Sequence, residues 1–290
     1  RRDFTINALY YCPVSKKIED HNSGIKHIRD KKIVSIGDPI KRFSEDPVRS
    51  LRAIRFSNKL KFKIDNKIKD AIYKQGHLLS HISNARLFDE FCKIFLNGFA
   101  EKNFKKLESY GLNQYLILTN PNDTIFSSEL IKEALRNTDK RFGDNKSITP
   151  GFLIAAMLWP VLIKRASKKD EINLRKFFRS MDQVLKNQQN ITAIPRKFHT
   201  YIKDIWILQL KLHSRIGKQP YKTLKHPRFR AAYDFLLIRE KASKCKPDLG
   251  SWWTKFQKND PSSQKSLISN LRELTEEQSF KKFGFPEELI

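Results

Sequence analysis

Two short blocks of this chain carry side chains that grip phosphate and sugar. The first is Arg1-Arg2-Asp3-Phe4-Thr5-Ile6-Asn7-Ala8-Leu9, with two guanidiniums, a carboxylate, a hydroxyl and a carboxamide in nine residues. The second is Glu45-Asp46-Pro47-Val48-Arg49-Ser50-Leu51-Arg52-Ala53-Ile54-Arg55-Phe56. Guanidinium forks match phosphate oxygens and also hydrogen-bond a ribose or a base edge. A carboxylate beside them accepts from a ribose hydroxyl or holds a divalent cation through oxygen. Together the blocks suit a nucleoside triphosphate.

These groups need elements to position them. Asp46 followed by Pro47 predicts a helix start, as N-cap and N1. The ~100° step per residue then sets Arg49 and Arg52 roughly 60° apart on one face, with Leu51 and Ile54 turned toward a core. Glu45 and Asp46 sit at the helix mouth, where carboxylates meet the positive end of the helix dipole, and can fix the arginine planes. Each block alone also admits a plainer account: Asp3 as an N-cap beside a surface arginine pair, and a capped helix with a Glu45–Arg49 ion pair.

Residues 9–36 read as extended. Leu9-Tyr10-Tyr11 and Ile33-Val34-Ser35-Ile36 have strand composition and flank a polar turn at Asn22-Ser23-Gly24. Beyond them the pattern is helical. Ser83 caps a helix with Leu87, Phe91, Ile94 and Phe95 on one stripe, ended by Asn97-Gly98. Phe99 to Tyr110 is helical and stops at Gly111. Residues 119–128 are turn-rich and 137–151 form a polar loop. Helices are expected over 152–165, 171–187, 196–215, 229–244 and 262–273.

The 290 residues carry 57 Lys and Arg against 31 Asp and Glu, a formal charge of +26. Such an excess implies a polyanionic partner, RNA or DNA, because neutralised phosphates release counterions; a lysine-rich proteome is the bland alternative. The charge concentrates in Pro195 to Lys246, with 14 Lys and Arg against three Asp and Glu. The RNA-binding candidates there are Arg196, Lys197, Lys203, Arg215, Lys218, Arg228 and Arg230. Tyr201, Trp206, Tyr221, Phe229, Tyr233 and Phe235 are interleaved; Trp206 and Phe235, with Leu210 and Leu236, read as core, and the charges, but not most of these aromatics, are assigned to RNA. Cys12, Cys92 and Cys245 are too dispersed for a disulfide framework or a zinc knuckle, which points to a reduced, intracellular chain. No apolar run reaches the roughly 18–20 residues that span a bilayer. His77 and His81 stand at i,i+4 without a third ligand and read as ordinary histidines. Trp252-Trp253 is expected to pack the last helix. P-loop, G-x-S-x-G and Rossmann patterns are absent, so kinase, hydrolase and dehydrogenase readings have no support.

In this order and separation the blocks resemble a known pair of motifs. Arg1-Arg2-Asp3-Phe4-Thr5-Ile6-Asn7-Ala8 is similar to the RRDFTxNA motif of class II tRNA nucleotidyltransferases and bacterial poly(A) polymerases. Glu45-Asp46-Pro47-Val48-Arg49, with Arg52 and Arg55, resembles their EDxxR motif. Asn84 to Glu90, Pro150 to Trp159, Ile205 to Leu210 and His226 to Asp234 resemble the bacterial poly(A) polymerase branch, and CCA-adding enzymes match less well. The resemblance implies a mainly α protein: the C-terminal part of a nucleotidyltransferase α/β head, then an elongated all-helical neck, body and RNA-binding tail. The expected domains are a head remnant at 1–44, a neck at 45–111, a body at 112–194 and a basic RNA-binding region at 195–290.

The resemblance also implies template-independent addition of AMP from ATP to RNA 3′ ends in the cytoplasm, for mRNA polyadenylation and RNA turnover. Asp46 and Arg49 would recognise the nucleotide, with Arg52 and Arg55 as supports. Arg2 and Asn7 match ribose- and phosphate-facing positions, and Asp3 a catalytic carboxylate. The partners are ATP and RNA 3′ ends, with no membrane, and the cofactor is Mg²⁺. The alternatives are a CCA-adding tRNA nucleotidyltransferase and a non-catalytic RNA-binding remnant. Three features depart from the family. Its Gly-Ser and Asp-x-Asp strand has no counterpart here, so the metal ligands are expected upstream and the chain is read as N-terminally truncated and catalytically incomplete. Ser23-Gly24 stands for the usual Gly-Gly, with His27 in place of an Asp. Val34 stands for an Arg.

Overall fold

The computed structural model describes residues 2–119, 125–168, 171–172, 174–243 and 248–275. Arg1, Cys245 and Lys246 lie outside the described residues. The architecture is mainly helical, and each sheet among the described residues is a two-stranded pair. The chain divides into two compact units. One comprises Arg1–Ile117, Phe142–Asn145 and Asn190–Ala193; the other comprises Leu118–Arg141, Lys146–Gln189 and Ile194–Ile290.

The first unit begins with a 3₁₀ turn, Thr5–Asn7. An antiparallel hairpin follows, β1 (Tyr10–Cys12) and β2 (Lys17–Glu19). A helix then appears where the composition suggested extended chain: α1 (Gly24–Arg29). The cause is local. The Asp20 carboxylate accepts from the Gly24 and Ile25 amides at 2.8 and 2.9 Å and so caps the first turn. Ser23 supplies the preceding left-handed residue, φ +54°, and a Cβ at Gly24 would run into the Thr5 carbonyl oxygen. β3 (Lys32–Ile33) pairs in parallel with a later strand, and Ser35 bridges back to Phe4.

α2 (Pro39–Glu45) is capped by Asp38, which accepts from the Lys41 amide at 3.0 Å. α3 (Val48–Leu60) follows after two residues. Asp46 is therefore not the N-cap of α3 that the sequence predicts. It sits at the C-terminal end of α2 with extended backbone, and Pro47 takes the N-cap position. β4 (Lys63–Ile64) and α4 (Asn66–Gln75) lead through a 3₁₀ segment to α5 (Asn84–Phe95) and α6 (Ala100–Ser109). Ser83 is the N-cap of α5, without a side-chain bond. The expected stripe Leu87, Phe91, Ile94 and Phe95 is buried, along with Val48, Leu51 and Ile54 of α3. Each such side chain contributes about 1.5–3 kcal/mol.

In the second unit, α7 (Ile125–Gly143) takes up the first seven residues of the predicted 137–151 loop. Residues 144–149 are irregular, and the last two of the segment open α8 (Pro150–Ala166). The Thr138 hydroxyl explains part of the misreading: it bonds back to the Ala134 carbonyl at 2.9 Å instead of opening a turn. α8 is apolar on all sides and buried along nearly its whole length, as a core helix must be. A small hairpin, β5 (Ser167–Lys168) and β6 (Glu171–Ile172), precedes α9 (Leu174–Gln189). α10 (Arg196–His213), α11 (Gln219–Leu224), α12 (Phe229–Ser243), α13 (Leu249–Lys258) and α14 (Pro261–Thr275) complete it. Trp206 donates to the Ala155 carbonyl and Trp253 to the Leu212 carbonyl, both at 2.9 Å. Trp206, Phe235 and Leu236 are core as expected, while Leu210 is only half-buried. Among the described residues, no helix is long and apolar enough to cross a membrane.

Candidate functional site

The two sequence blocks meet in the first unit. The Thr5 amide donates to the Val34 carbonyl at 3.0 Å and the Ile36 amide to the Asp3 carbonyl at 3.2 Å, so residues 3–5 are laid along 34–36. Phe4, fully buried, packs edge-on against Phe56 of α3 with ring centroids 6.0 Å apart. This contact fixes the first block against the helix that carries the second.

Asp3 lies at the centre. It is 6% exposed, and its carboxylate faces Arg52 Nε at 2.5 Å and Arg49 Nε at 3.6 Å. The helical spacing that put both guanidiniums on one face thus brings both to one anion. Arg49 is itself buried. Its Nη1 donates to the Arg42 carbonyl and lies 3.6 Å from Glu45 Oε2, across the α2–α3 junction. Asp46 is met from another direction: Arg86 Nη2 donates to its two oxygens at 2.9 and 2.8 Å. Arg55 stacks on the Phe56 ring, 4.5 Å from its centroid, and burial pushes its guanidinium below the usual arginine range.

Arg2 is exposed and lines an open cleft of about 700 Å³ with Ala8, Tyr10, Asn22, Ile36, Gly37 and Arg42. Asn7 is turned to local work: its Oδ1 accepts from the Phe4 amide at 3.3 Å and closes the 3₁₀ turn. His27 accepts or donates a 2.9 Å bond with the Thr5 hydroxyl.

The sequence reading missed Arg42 as a site residue. Arg42 Nη2 donates to the Arg2 carbonyl at 2.8 Å and Nη1 to Glu45 at 3.1 Å, so it joins both blocks. The i,i+3 spacing of Arg42 and Glu45 was the available signal. Arg86 carried none, being forty residues from Asp46.

The RNA-binding candidates lie on α10, α12 and the residues around α11. Arg196, Lys197, Lys218, Arg228 and Arg230 are exposed. Lys203 pairs with Asp182 at 2.5 Å, Arg215 with Asp248 at 3.6 Å and Arg230 with Asp234 at 3.1 Å. Arg228 lies over the Tyr201 ring at 4.9 Å. Arg141, Arg228 and Arg230 line one cavity of about 200 Å³ with Tyr201 and Asp234.

Among the described residues, no cluster of three or more His, Cys, Asp or Glu could hold a metal ion. Asp3, the one candidate, faces two guanidiniums. The described residues therefore do not fit a divalent cation.

Comparisons with known proteins agree along the chain. A model for the poly A polymerase head domain matches residues 1–34. A model described as the probable RNA and SrmB-binding site of polymerase A matches 61–121. A model for the arginine-rich C-terminus of polymerase A matches 169–283. The chain is 39% identical over 284 residues to poly(A) polymerase I of Escherichia coli O6:H1, covering 94% of this chain and 61% of that protein. It is 37% identical to poly(A) polymerase I of Haemophilus influenzae, covering 94% and 63%. The chain thus spans somewhat under two thirds of these relatives. A CCA-adding enzyme of Lactococcus lactis subsp. lactis is more distant, 28% identical over 83% of this chain and 54% of that protein. The fold is shared with a solved tRNA-processing enzyme with CTP, at a TM-score of 0.61, 19% identity and coverage of 95% and 74%. It is also shared with the Bacillus stearothermophilus CCA-adding enzyme in complex with CTP, at 0.55, 21%, 97% and 59%.

Proposed function

We propose that the chain is part of a poly(A) polymerase of the nucleotidyltransferase class and serves template-independent addition of AMP from ATP to RNA 3′ ends, on the matches to three polymerase A models along its length. In that reaction the RNA 3′ oxygen forms a bond to the α-phosphorus, and the bond to the leaving pyrophosphate breaks. A cytoplasmic location follows from the same reading. The observation that carries it is the convergence of Asp3, Arg49 and Arg52, from blocks more than forty residues apart, on one buried ion-pair cluster.

Asp46 and Arg49 read the base. A carboxylate only accepts and a guanidinium only donates. Adenine offers an amino donor beside a ring-nitrogen acceptor, which this pair complements; guanine and uracil present the reverse order and are rejected. Arg86 holds the Asp46 carboxylate, and Glu45 and the Arg42 carbonyl hold Arg49. Pre-orientation of this kind lowers the ordering cost of binding. Asp3 acts as a positioning residue: it sets the planes of Arg49 and Arg52 and offsets their charge. Arg2 and Arg42 offer positive charge at the cleft for ribose or phosphate. Mg²⁺ is proposed as the cofactor of the whole protein's reaction, although the described residues do not hold it; it would supply activation of the attacking oxygen and charge for the leaving phosphates, and none of the steps assigned to these residues passes through it.

Cytosine presents the same donor–acceptor order as adenine, so Asp46 and Arg49 are equally compatible with a second reading, the CCA-adding one. Primer extension by the full-length gene product separates the two. Long adenylate tails from ATP alone support the polymerase. Incorporation of CTP followed by a stop after three additions overturns it in favour of the CCA branch.

A further inference from the structure

A second basic site in the same unit shares no lining residue with the Asp3 cluster. Lys32, Lys63, Lys69 and Lys106 line a cavity of about 380 Å³ with Asp65, Asn66 and Tyr110. The β3–β4 ladder sets Lys32 directly opposite Lys63. Registered residues on neighbouring strands share a face, and like charges so placed repel. Their neighbours Ile33 and Ile64 form the other registered pair and are buried, which leaves both lysines on the open face.

Among the lining residues one carboxylate, Asp65, stands against four ammoniums, so the group keeps a net positive charge. The four lysines form no ion pair among the described residues. Lys69 donates to Asn66 at 3.0 Å, and Lys106 to Ser57 at 2.6 Å. The Asp65 carboxylate is occupied in capping α4 through the Lys67 amide at 3.0 Å. Burial, with Lys69 close by, pushes Lys106 below the usual lysine range. At the rim, Tyr110 packs on Tyr73, which is 65% exposed, with ring centroids 5.0 Å apart.

We propose that this pocket is a binding subsite for single-stranded RNA, with phosphodiester oxygens on Lys32, Lys63, Lys69 and Lys106 and a base against the Tyr73–Tyr110 pair. Clustered ammoniums beside an exposed aromatic platform are the combination that holds single strands without reading sequence. The proposal rests on the RNA-acting reading and extends it. It names the phosphate-binding groups within the segment matched by the RNA-binding model and adds Lys32, which lies outside that segment.

The test uses the full chain, a labelled oligoadenylate and fluorescence anisotropy over a salt series. The K32Q/K63Q double variant loses two phosphate contacts. Its slope of log affinity against log salt falls by roughly 1.4, at about 0.7 per contact on single strands. Tyr73→Ala weakens binding by roughly tenfold, whatever the base. Without RNA, K32Q/K63Q melts no lower than wild type, because a repulsion has been removed. ATP affinity is unchanged, since the triphosphate site is elsewhere. A melting temperature that falls along with RNA affinity would show a merely structural role and overturn the proposal. So would a wild-type salt slope in the double variant while ATP still binds, which leaves the polymerase reading standing. A wild-type chain with no affinity for oligoadenylate overturns both.

Discussion

Asp3→Asn is the sharpest perturbation of the site, because it removes one charge and almost no volume. In the native chain that charge lies between two guanidiniums, at 2.5 Å from Arg52 and 3.6 Å from Arg49. Removing one partner of a buried pair typically costs 3–5 kcal/mol, because the other charge is left uncompensated. Here Arg52 is partly exposed and recovers some hydration, and Arg49 keeps Glu45 at 3.6 Å. The expected cost is therefore about 3 kcal/mol. For a unit of this size that lowers the melting temperature by roughly 12 °C, at about 4 °C per kcal/mol. The assay is urea and thermal unfolding of wild type, D3N, R52Q and the double variant. Arg52→Gln should be milder, and the pair should couple by about 1–3 kcal/mol. ATP affinity should fall in D3N through a loosened Arg49. If D3N melts with wild type and loses only turnover, Asp3 is a reacting-site carboxylate and the positioning role is refuted.

Arg86→Ala should cost under about 1 kcal/mol of stability, since the Asp46 pair is half in solvent, yet weaken discrimination of ATP against GTP in competition binding. Ser23→Gly should stabilise the chain by about 1 kcal/mol in urea titration, by relieving a left-handed residue with φ +54°. Gly24→Ala should do the reverse, because its Cβ meets backbone. In the second unit, burial, followed by the nearby charges of Arg239 and Arg215, pushes His213 from 6.5 down to about 4. The unfolded chain then binds more protons than the folded one between those pH values. Stability should fall as pH drops through that window, by about 1.4 kcal/mol per unit. Thermal melts across pH should show this in wild type and a flatter profile in His213→Gln.

The sequence was most legible where periodicity was strong. The stripe of α5 and the apolar run of α8 announced their burial, and the 3.6-residue repeat put Arg49 and Arg52 on one face. It was least legible where side chains redirect the backbone. Asp20 starts α1 by reaching four and five residues ahead, which composition does not reveal. Asp46 looked like a cap because Asp-Pro so often is one; Arg86, forty residues away, claims its carboxylate instead. Thr138 lengthens α7 by bonding within the helix. Asn7 closes its own turn, so its polarity alone did not disclose a local role. The Lys32–Lys63 pairing needed a strand register that two-residue strands do not signal.

Arg49, oriented by Asp3 and working with Asp46, is proposed to select the incoming base. Equilibrium binding of ATP, CTP, GTP and UTP to wild type, D46N and R49Q, each checked for native melting behaviour, tests it most directly. Wild type should prefer ATP and CTP to GTP and UTP, and folded D46N and R49Q should lose that preference. Wild-type selectivity retained in both variants would contradict it.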